Sequence, residues 1–258
     1  MSVSPLVCVK RVVDSSGEVV LTEDGQGVDG RFAGFTMSAH EECAVELAVQ
    51  VAASSCGAAT VMTLGDADAI EQLRAALAVG CATATHVVAD SQGFGPADVA
   101  REIAAVVRAH EEAGTPHDLV LLGNDAADSG DFQVGIRLAY ELGWPVVNGV
   151  GTVSVADGEL TASGAGPDGH ETYRLLLPAV VTILEGGVEP RYPTVPGRMK
   201  AKKAPVEERE PAAAPTGPSR LRLVLPPPTP YSVEILGEGP GAAPAVVDLF
   251  EQLGVLGR

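Results

Sequence analysis

The chain has 258 residues, a hydrophobic share of 46% and a formal net charge of −17 at pH 7. That length and apolar share provide for a large core, which argues against disorder over most of the chain. The acidic balance argues against nucleic acid or an anionic membrane as the main partner, and no apolar run reaches the roughly 18 residues of a membrane span.

Strand and helix patterns alternate over the first 147 residues. The first helix opens on a capping box, with Ser38 as the N-cap and Glu41 three residues later. In chain order we predict a strand at 6–9, a helix from Ser38 to about 53, a strand at 59–63, a helix at 67–79, a strand at 85–88, a helix at 97–113, a strand at 119–122, a helix at 134–142 and a strand from 146. This alternation predicts a doubly wound α/β domain with a mostly parallel sheet.

The pattern changes after residue 150. Predicted strands at 152–155 and 160–163 flank Asp157-Gly158, a hairpin turn signal. Two more predicted strands, at 170–177 and 179–184, are separated by Pro178. We expect these four strands to form an antiparallel extension of the sheet.

Residues 189–204 form a basic segment that we predict to be a loop, leading into a short helix near Met199. Between Arg191 and Lys203 there are five basic residues and no acidic one, and three of the four lysines of the chain lie there. Such charge around the apolar side chains of Tyr192, Val195 and Met199 suits docking on an acidic partner. A solvated basic turn is the alternative.

A proline-rich connector follows the basic segment, since residues 211–230 contain seven of the 19 prolines. We expect it to be extended and semi-rigid. Residues 243–253 form an amphipathic helix, which either folds back on its own chain or packs on another subunit.

Ligands of open α/β sheets bind at the carboxyl ends of the strands, which points to the loops at 10–15, 65–68 and 123–135, with 35–38 at the start of the first helix. Loop 123–135 leaves an apolar strand and enters a helix N-terminus, which favours an anion. Asp128 is suited to accept ribose hydroxyls and Gln133 to bind a base edge or a phosphate. An ordinary polar turn is the alternative, and three aspartates oppose a phosphate there.

Motifs of other chemistries are missing or lack their context. The GxGxxG stretch at 25–30 does not open a helix, and the one at 164–169 lies between two predicted strands, so we interpret both as turns. The sequence contains no GxxxxGK[ST], GxSxG or HExxH, and its four cysteines form no CxxC pair. We therefore expect no metal site, a binding or carrier role, and a cytoplasmic location without a signal peptide.

Several motifs, in order, resemble the electron transfer flavoprotein β-subunit family over residues 5–204. The strongest is Glu189-Pro190-Arg191-Tyr192-Pro193 followed by Met199-Lys200-Ala201-Lys202-Lys203. The others are Val9-Lys10-Arg11-Val12-Val13-Asp14, Glu42-Cys43-Ala44-Val45-Glu46, Ala75-Ala76-Leu77-Ala78-Val79-Gly80, Gln133-Val134-Gly135, Leu142-Gly143-Trp144-Pro145 and Leu177-Pro178-Ala179-Val180-Val181.

The resemblance implies a heterodimer in which an α subunit holds most of an FAD and this subunit binds AMP. It also implies electron transfer from a flavin-dependent dehydrogenase to a downstream acceptor, usually a quinone oxidoreductase. The cofactor contacts that it carries over by position are Cys8, Ser38, Leu64, Asp128, Gln133 and Val134. Ser15 and His40 are implied to lie toward the FAD of the α subunit. Val195 is the implied docking anchor, and the docking residues around it are Arg191, Arg198, Met199, Lys200, Lys202 and Lys203.

The resemblance divides the chain into an α/β domain at 1–204 and an arm at 205–258 that docks on the α subunit. Where the family usually has Asn-Pro and Gly-Lys-Gln, this chain has Ser38-Ala39 and Gly123-Asn124-Asp125, and Val195 stands where the family usually has leucine. These departures leave the nucleotide open. A subunit with a second FAD in place of AMP, as in electron-bifurcating members, is one alternative. A regulatory adenine-nucleotide module without redox work is another.

Overall fold

The computed structural model describes residues 2–14, 19–217, 221–227 and 233–255. The chain divides into two compact units between Leu223 and Val224. The strands are β1 (Pro5–Cys8), β2 (Val12–Val13), β3 (Phe35–Thr36), β4 (Thr60–Gly65), β5 (Thr83–Val88), β6 (Leu119–Gly123), β7 (Val146–Val150), β8 (Thr152–Ala156), β9 (Glu159–Gly166), β10 (Gly169–Leu176), β11 (Ala179–Ile183) and β12 (Glu207–Arg209). The α-helices are α1 (Ala39–Ser54), α2 (Ile70–Val79), α3 (Pro96–Glu112), α4 (Val134–Leu142), α5 (Val195–Lys203) and α6 (Ala243–Gln252).

Among the described residues, seven parallel strands form the central sheet in the order β12-β5-β4-β1-β6-β11-β7. Alternate residues of each inner strand enter two separate cores, as the pleat requires. In β1, Val7 packs with α1 and α2, whereas Leu6 and Cys8 pack with α3 and α4. Helices therefore cover both faces, and the predicted doubly wound fold is confirmed.

One strand of the predicted antiparallel extension was assigned wrongly. β11 runs parallel between β6 and β7 in the central sheet, whereas β8, β9 and β10 form a separate antiparallel sheet. All five β11 side chains are buried, which is the pattern of a strand covered on both faces rather than of a half-exposed extension. The Asp157-Gly158 turn is confirmed, with φ values of +51° and +81°.

The basic segment contains more helix than predicted. α5 occupies nine of its residues, and the Thr194 side chain caps the helix by accepting from the Gly197 amide at 3.1 Å. Pro196 lies in the first turn, where its missing N–H costs nothing. The cap and the proline were the helix signals in a stretch that otherwise shows no period.

The start of the proline-rich connector is held by two buried acids of α3. Glu102 accepts from the Ala212 and Ala213 amides, and Asp98 accepts from the Thr216 and Gly217 amides, at 2.6–3.1 Å. Although burial acts to raise it, these bonds hold the pKa of Asp98 well below its usual value. The connector is thus tied to α3 through residue 217, whereas its extended, semi-rigid character stays a prediction.

The second unit contains α6, which matches the predicted amphipathic helix. Its docking on another subunit stays a prediction. Within the described residues, no helix combines the length and apolar character that crossing a bilayer requires.

Candidate functional site

A pocket lies at the carboxyl ends of β1, β4 and β6, where the parallel sheet predicts a ligand. Phe94, Val99 and Ile103 form an apolar wall. Of the residues predicted to contact a cofactor, Cys8, Leu64 and Val134 line it. Burial raises the pKa of the Cys8 thiol far above its usual value, so this side chain packs as a neutral group.

Glu41 braces the polar side of the pocket. Its carboxylate accepts from the Lys10 amide at 2.7 Å, from the Ser38 amide at 2.9 Å and from the Ser38 hydroxyl at 3.0 Å, which ties the end of β1 to the start of α1. A Cβ at Gly123 would lie 3.0 Å from Glu41 Cγ, so a larger residue there would force the Glu41 side chain to shift. The predicted capping box is confirmed, and its acid is also part of the pocket wall.

Two features of the pocket lining leave hydrogen-bonding groups without a side-chain partner. The Thr63 side chain is 1% exposed, and its Oγ1 has no hydrogen-bond partner among the described residues. α4 begins beside the pocket, and Gln133 gives its first turn no side-chain cap. The first amides of a helix need an acceptor, and a helix N-terminus favours an anion.

A charge pair lies beside the pocket. Lys10 Nζ is 2.7 Å from Asp128 Oδ1, and both side chains are partly buried. Lys10 is the only basic residue among the described residues that line the pocket. Asp128 is therefore near the pocket as predicted, whereas Gln133 is exposed and its Oε1 accepts from Arg137 at 2.8 Å.

A second cavity lies on the other side of the α1 N-terminus and contains the remaining predicted cofactor residues. Ser38 and His40 line it together with Asp125 and Glu185. His40 Nδ1 lies 2.6 Å from Asp125 Oδ1, within ion-pair distance when the imidazole is protonated, although the atoms are not aligned as a hydrogen bond. Ser15 lies outside the described residues, and the orientation of Ser15 and His40 toward a partner's FAD stays a prediction.

Residues 189–204, which we call the docking segment, expose apolar side chains among basic ones. Tyr192 is 90% exposed, Val195 73% and Met199 61%, well above what a packed side chain shows. Arg198, Lys200, Lys202 and Lys203 are also exposed. Arg191 differs from them, because its guanidinium is bound to Glu46 of α1 at 2.7 Å.

Comparison with known proteins identifies the family. Residues 31–214 match the family model described as the electron transfer flavoprotein domain. The chain is 33% identical to the electron transfer flavoprotein subunit beta of Syntrophomonas wolfei over 240 residues, 92% of either chain. It is 35% identical to the human subunit beta over 210 residues, 80% of either chain, and 33% identical to that of Bacillus subtilis over 204 residues, 79% of this chain and 77% of the relative.

This chain belongs to the electron transfer flavoprotein β-subunit family. The resemblance predicted from its motifs is confirmed, and with it a role in flavin-associated electron transfer. The family match covers the pocket and the docking segment, since both lie within residues 31–214 apart from the β1 side of the pocket.

Sequence reasoning missed the residues that support both regions. Thr63 lies inside an apolar strand and Arg74 inside α2, where no local motif marks either of them, and Glu46 was noted only as part of a family motif, without a role. Glu41 was recognised only as a helix cap. A polar residue at an otherwise buried position of a strand is the one signal that could have identified Thr63.

Proposed function

We propose that this chain is the β subunit of a heterodimeric electron transfer flavoprotein, with FAD held mainly by the α subunit and a structural AMP in the pocket described above. The heterodimer takes electrons from a flavin-dependent dehydrogenase and passes them to a downstream acceptor such as a quinone oxidoreductase. FAD, when bound, supplies the electron carriage. The residues of this chain hold a nucleotide and offer a docking surface.

The observation that carries the nucleotide is the pocket at the carboxyl ends of β1, β4 and β6, which combines an apolar wall with the uncapped start of α4. The uncapped start of α4 suits a phosphate, and the wall of Phe94, Val99 and Ile103 suits an adenine ring.

The charges of the pocket favour a monophosphate over a diphosphate. Lys10 is the only basic lining residue among those described, and Asp128 already neutralises much of its charge. Glu41, Asp125 and Asp131 line the same pocket. A second FAD would bring a diphosphate into these acidic surroundings, so we prefer AMP, which binds only the folded state and stabilises it by mass action.

The exposed side chains of the docking segment support a role in binding the partner dehydrogenase. Four exposed basic side chains surround Val195 and Met199, which are themselves exposed. Charge accelerates the encounter with an acidic partner, and a small apolar anchor gives specificity without a slow release. We therefore assign dehydrogenase docking to this segment, with Val195 as the anchor.

Coexpression with the α subunit tests the proposal, with flavin and adenine nucleotide measured per purified heterodimer. We expect one FAD and one AMP. Two flavins and no AMP would support the electron-bifurcating alternative. Nucleotide without any flavin, or no stable heterodimer, would refute the carrier role and support the regulatory module.

A further inference from the structure

Arg191 is engaged within its own chain. Its Nε donates to Glu46 Oε2 and its Nη2 to Glu46 Oε1, both at 2.7 Å, and its amide donates to Oε2 at 3.2 Å. Gln50 Nε2 donates to Oε1 at 2.7 Å. This bidentate geometry uses the fork of the guanidinium, and the Glu46 side chain is 6% exposed.

The other end of the docking segment is also held. Arg74 Nη1 on α2 donates to the Ala201 carbonyl at 2.5 Å and also to the Ala204 carbonyl, which satisfies the last turn of α5. At the start of α5, a Cβ on Gly197 would lie 2.5 Å from the Ala78 carbonyl oxygen. α5 thus packs directly on α2. The contact between Glu46 and Arg191 fixes the segment that precedes α5.

This arrangement separates the five basic residues of the docking segment into two kinds. Arg191 is neutralised by a buried carboxylate, whereas Arg198, Lys200, Lys202 and Lys203 are exposed and have no ion pair among the described residues. A guanidinium that leaves Glu46 to meet a partner would strand a buried charge, which is strongly unfavourable.

We propose that Glu46 and Arg191 form a positioning clamp for the docking segment, and that Arg191 is not a charge read by the dehydrogenase. The inference rests on the docking role proposed above. Because the clamp presents Val195 in one geometry before the encounter, less ordering remains to be done on binding. Glu46 and Arg191 then act through Val195 without touching the partner.

Variants of both residues in the complete heterodimer test the clamp. We compare Glu46→Gln, Arg191→Gln and the double variant, with Arg198→Gln as the matched control because it removes an unpaired arginine of the same segment. Electron-transfer rates from the partner dehydrogenase are measured against carrier concentration and ionic strength. Hydrogen exchange of the α5 amides is followed on the heterodimer alone.

We expect Glu46→Gln and Arg191→Gln each to raise KM about fivefold with kcat unchanged, and the double variant, which keeps the net charge, to raise KM as much with an unchanged salt dependence. Both single variants should accelerate the hydrogen exchange of the α5 amides. Arg191→Lys should not restore binding, because an ammonium cannot make the bidentate contact. Arg198→Gln should flatten the salt dependence and leave exchange unchanged.

The clamp is refuted if the double variant flattens the salt dependence as Arg198→Gln does, or if α5 stays protected in Glu46→Gln while transfer slows. If instead the α5 amides exchange faster in Glu46→Gln while electron transfer is unaffected at every carrier concentration, the docking role itself is refuted.

Discussion

The pocket and the docking segment are built differently, yet both rest on α1. In the pocket, the central acid Glu41 is buried and paired with Ser38 and Lys10. In the docking segment, the side chains offered to a partner are exposed and only their support is buried. The difference shows that a ligand site and a docking site can share one scaffold while using opposite degrees of exposure.

Two buried glutamates of α1 show the contrast at the level of charge. Burial raises the pKa of Glu41 to about 7, although hydrogen bonds from Ser38 and Lys10 act to lower it. The hydrogen bonds from Arg191 hold the pKa of Glu46 below its usual value. Five residues apart on one helix, the two acids support different regions and respond to pH in opposite directions.

The largest expected effect is this opposite response to pH. Because the pKa of Glu41 is higher in the folded than in the unfolded state, its contribution to stability is fully present below pH 4.5 and is lost as the pH rises through about 7. For Glu41, the change from 4.5 to about 7 corresponds to about 3 kcal/mol. For Glu46, whose pKa is lowered, the contribution is present above the unfolded pKa and lost as pH falls through the folded one.

Urea unfolding of the wild type, Glu41→Gln and Glu46→Gln between pH 4 and pH 7.5 measures both. The stability difference between the wild type and Glu41→Gln should fall with rising pH, and that for Glu46→Gln should rise. If the stability difference changed with pH in the same direction for both variants, the contrast between Glu41 and Glu46 would be refuted.

A glycine substitution should separate the pocket from the docking segment. A Cβ at Gly135 would lie 2.3 Å from Thr182 Cγ2, so Gly135→Ala must displace the first turn of α4. Overpacking of this kind costs about 2 kcal/mol, and we expect AMP to bind about tenfold more weakly. Calorimetric titration with AMP checks the affinity.

The exposed Ile136→Ala on the same helix is the control, and it should bind AMP normally. The KM for electron transfer from the dehydrogenase to Gly135→Ala should equal that of the wild type. A weakened docking reaction with intact AMP binding would show that the two regions are not separable in this way.

Removing the apolar anchor should have a smaller effect, confined to docking. Val195→Ala deletes two methyl groups from a side chain that we expect to be buried on the partner, which corresponds to about a fivefold loss in kcat/KM at limiting carrier. FAD and AMP content should be unchanged. Transfer at the wild-type rate, measured at limiting carrier, would remove Val195 from the docking role.

The smallest effect is expected at the charge pair beside the pocket. Asp128→Asn releases Lys10, and because the pair is partly exposed the gain is about threefold in AMP affinity. Adenosine, which lacks the phosphate, should bind to both proteins equally. Weaker AMP binding by Asp128→Asn would instead support a ribose contact for Asp128.

The alternation of strands and helices made most of the central sheet predictable, because burial on two faces leaves a continuous apolar pattern in each strand. β11 was misjudged since it follows a hairpin and its sequence gives no strand direction. Cys8, Leu64 and Val134, which the family resemblance indicated, line the pocket, and their contact with a nucleotide stays a prediction. Glu46 and Thr63 could not be singled out from the sequence, because Glu46 acts through Arg191, 145 positions away, and Thr63 is marked by an unpaired atom that only packing reveals.

Strand β12, which pairs with the outer edge of β5, has a consequence for solubility. β12 is only three residues long, carries Glu207, Glu208 and Arg209, and covers the edge of a strand whose inner four residues are buried. Short charged edge strands resist pairing with other molecules, whereas a long apolar edge invites aggregation. A chain shortened at residue 204 would therefore lose more than its arm. It would expose β5 as an adhesive edge, so shortened variants that stay monomeric should retain the residues through Gly217.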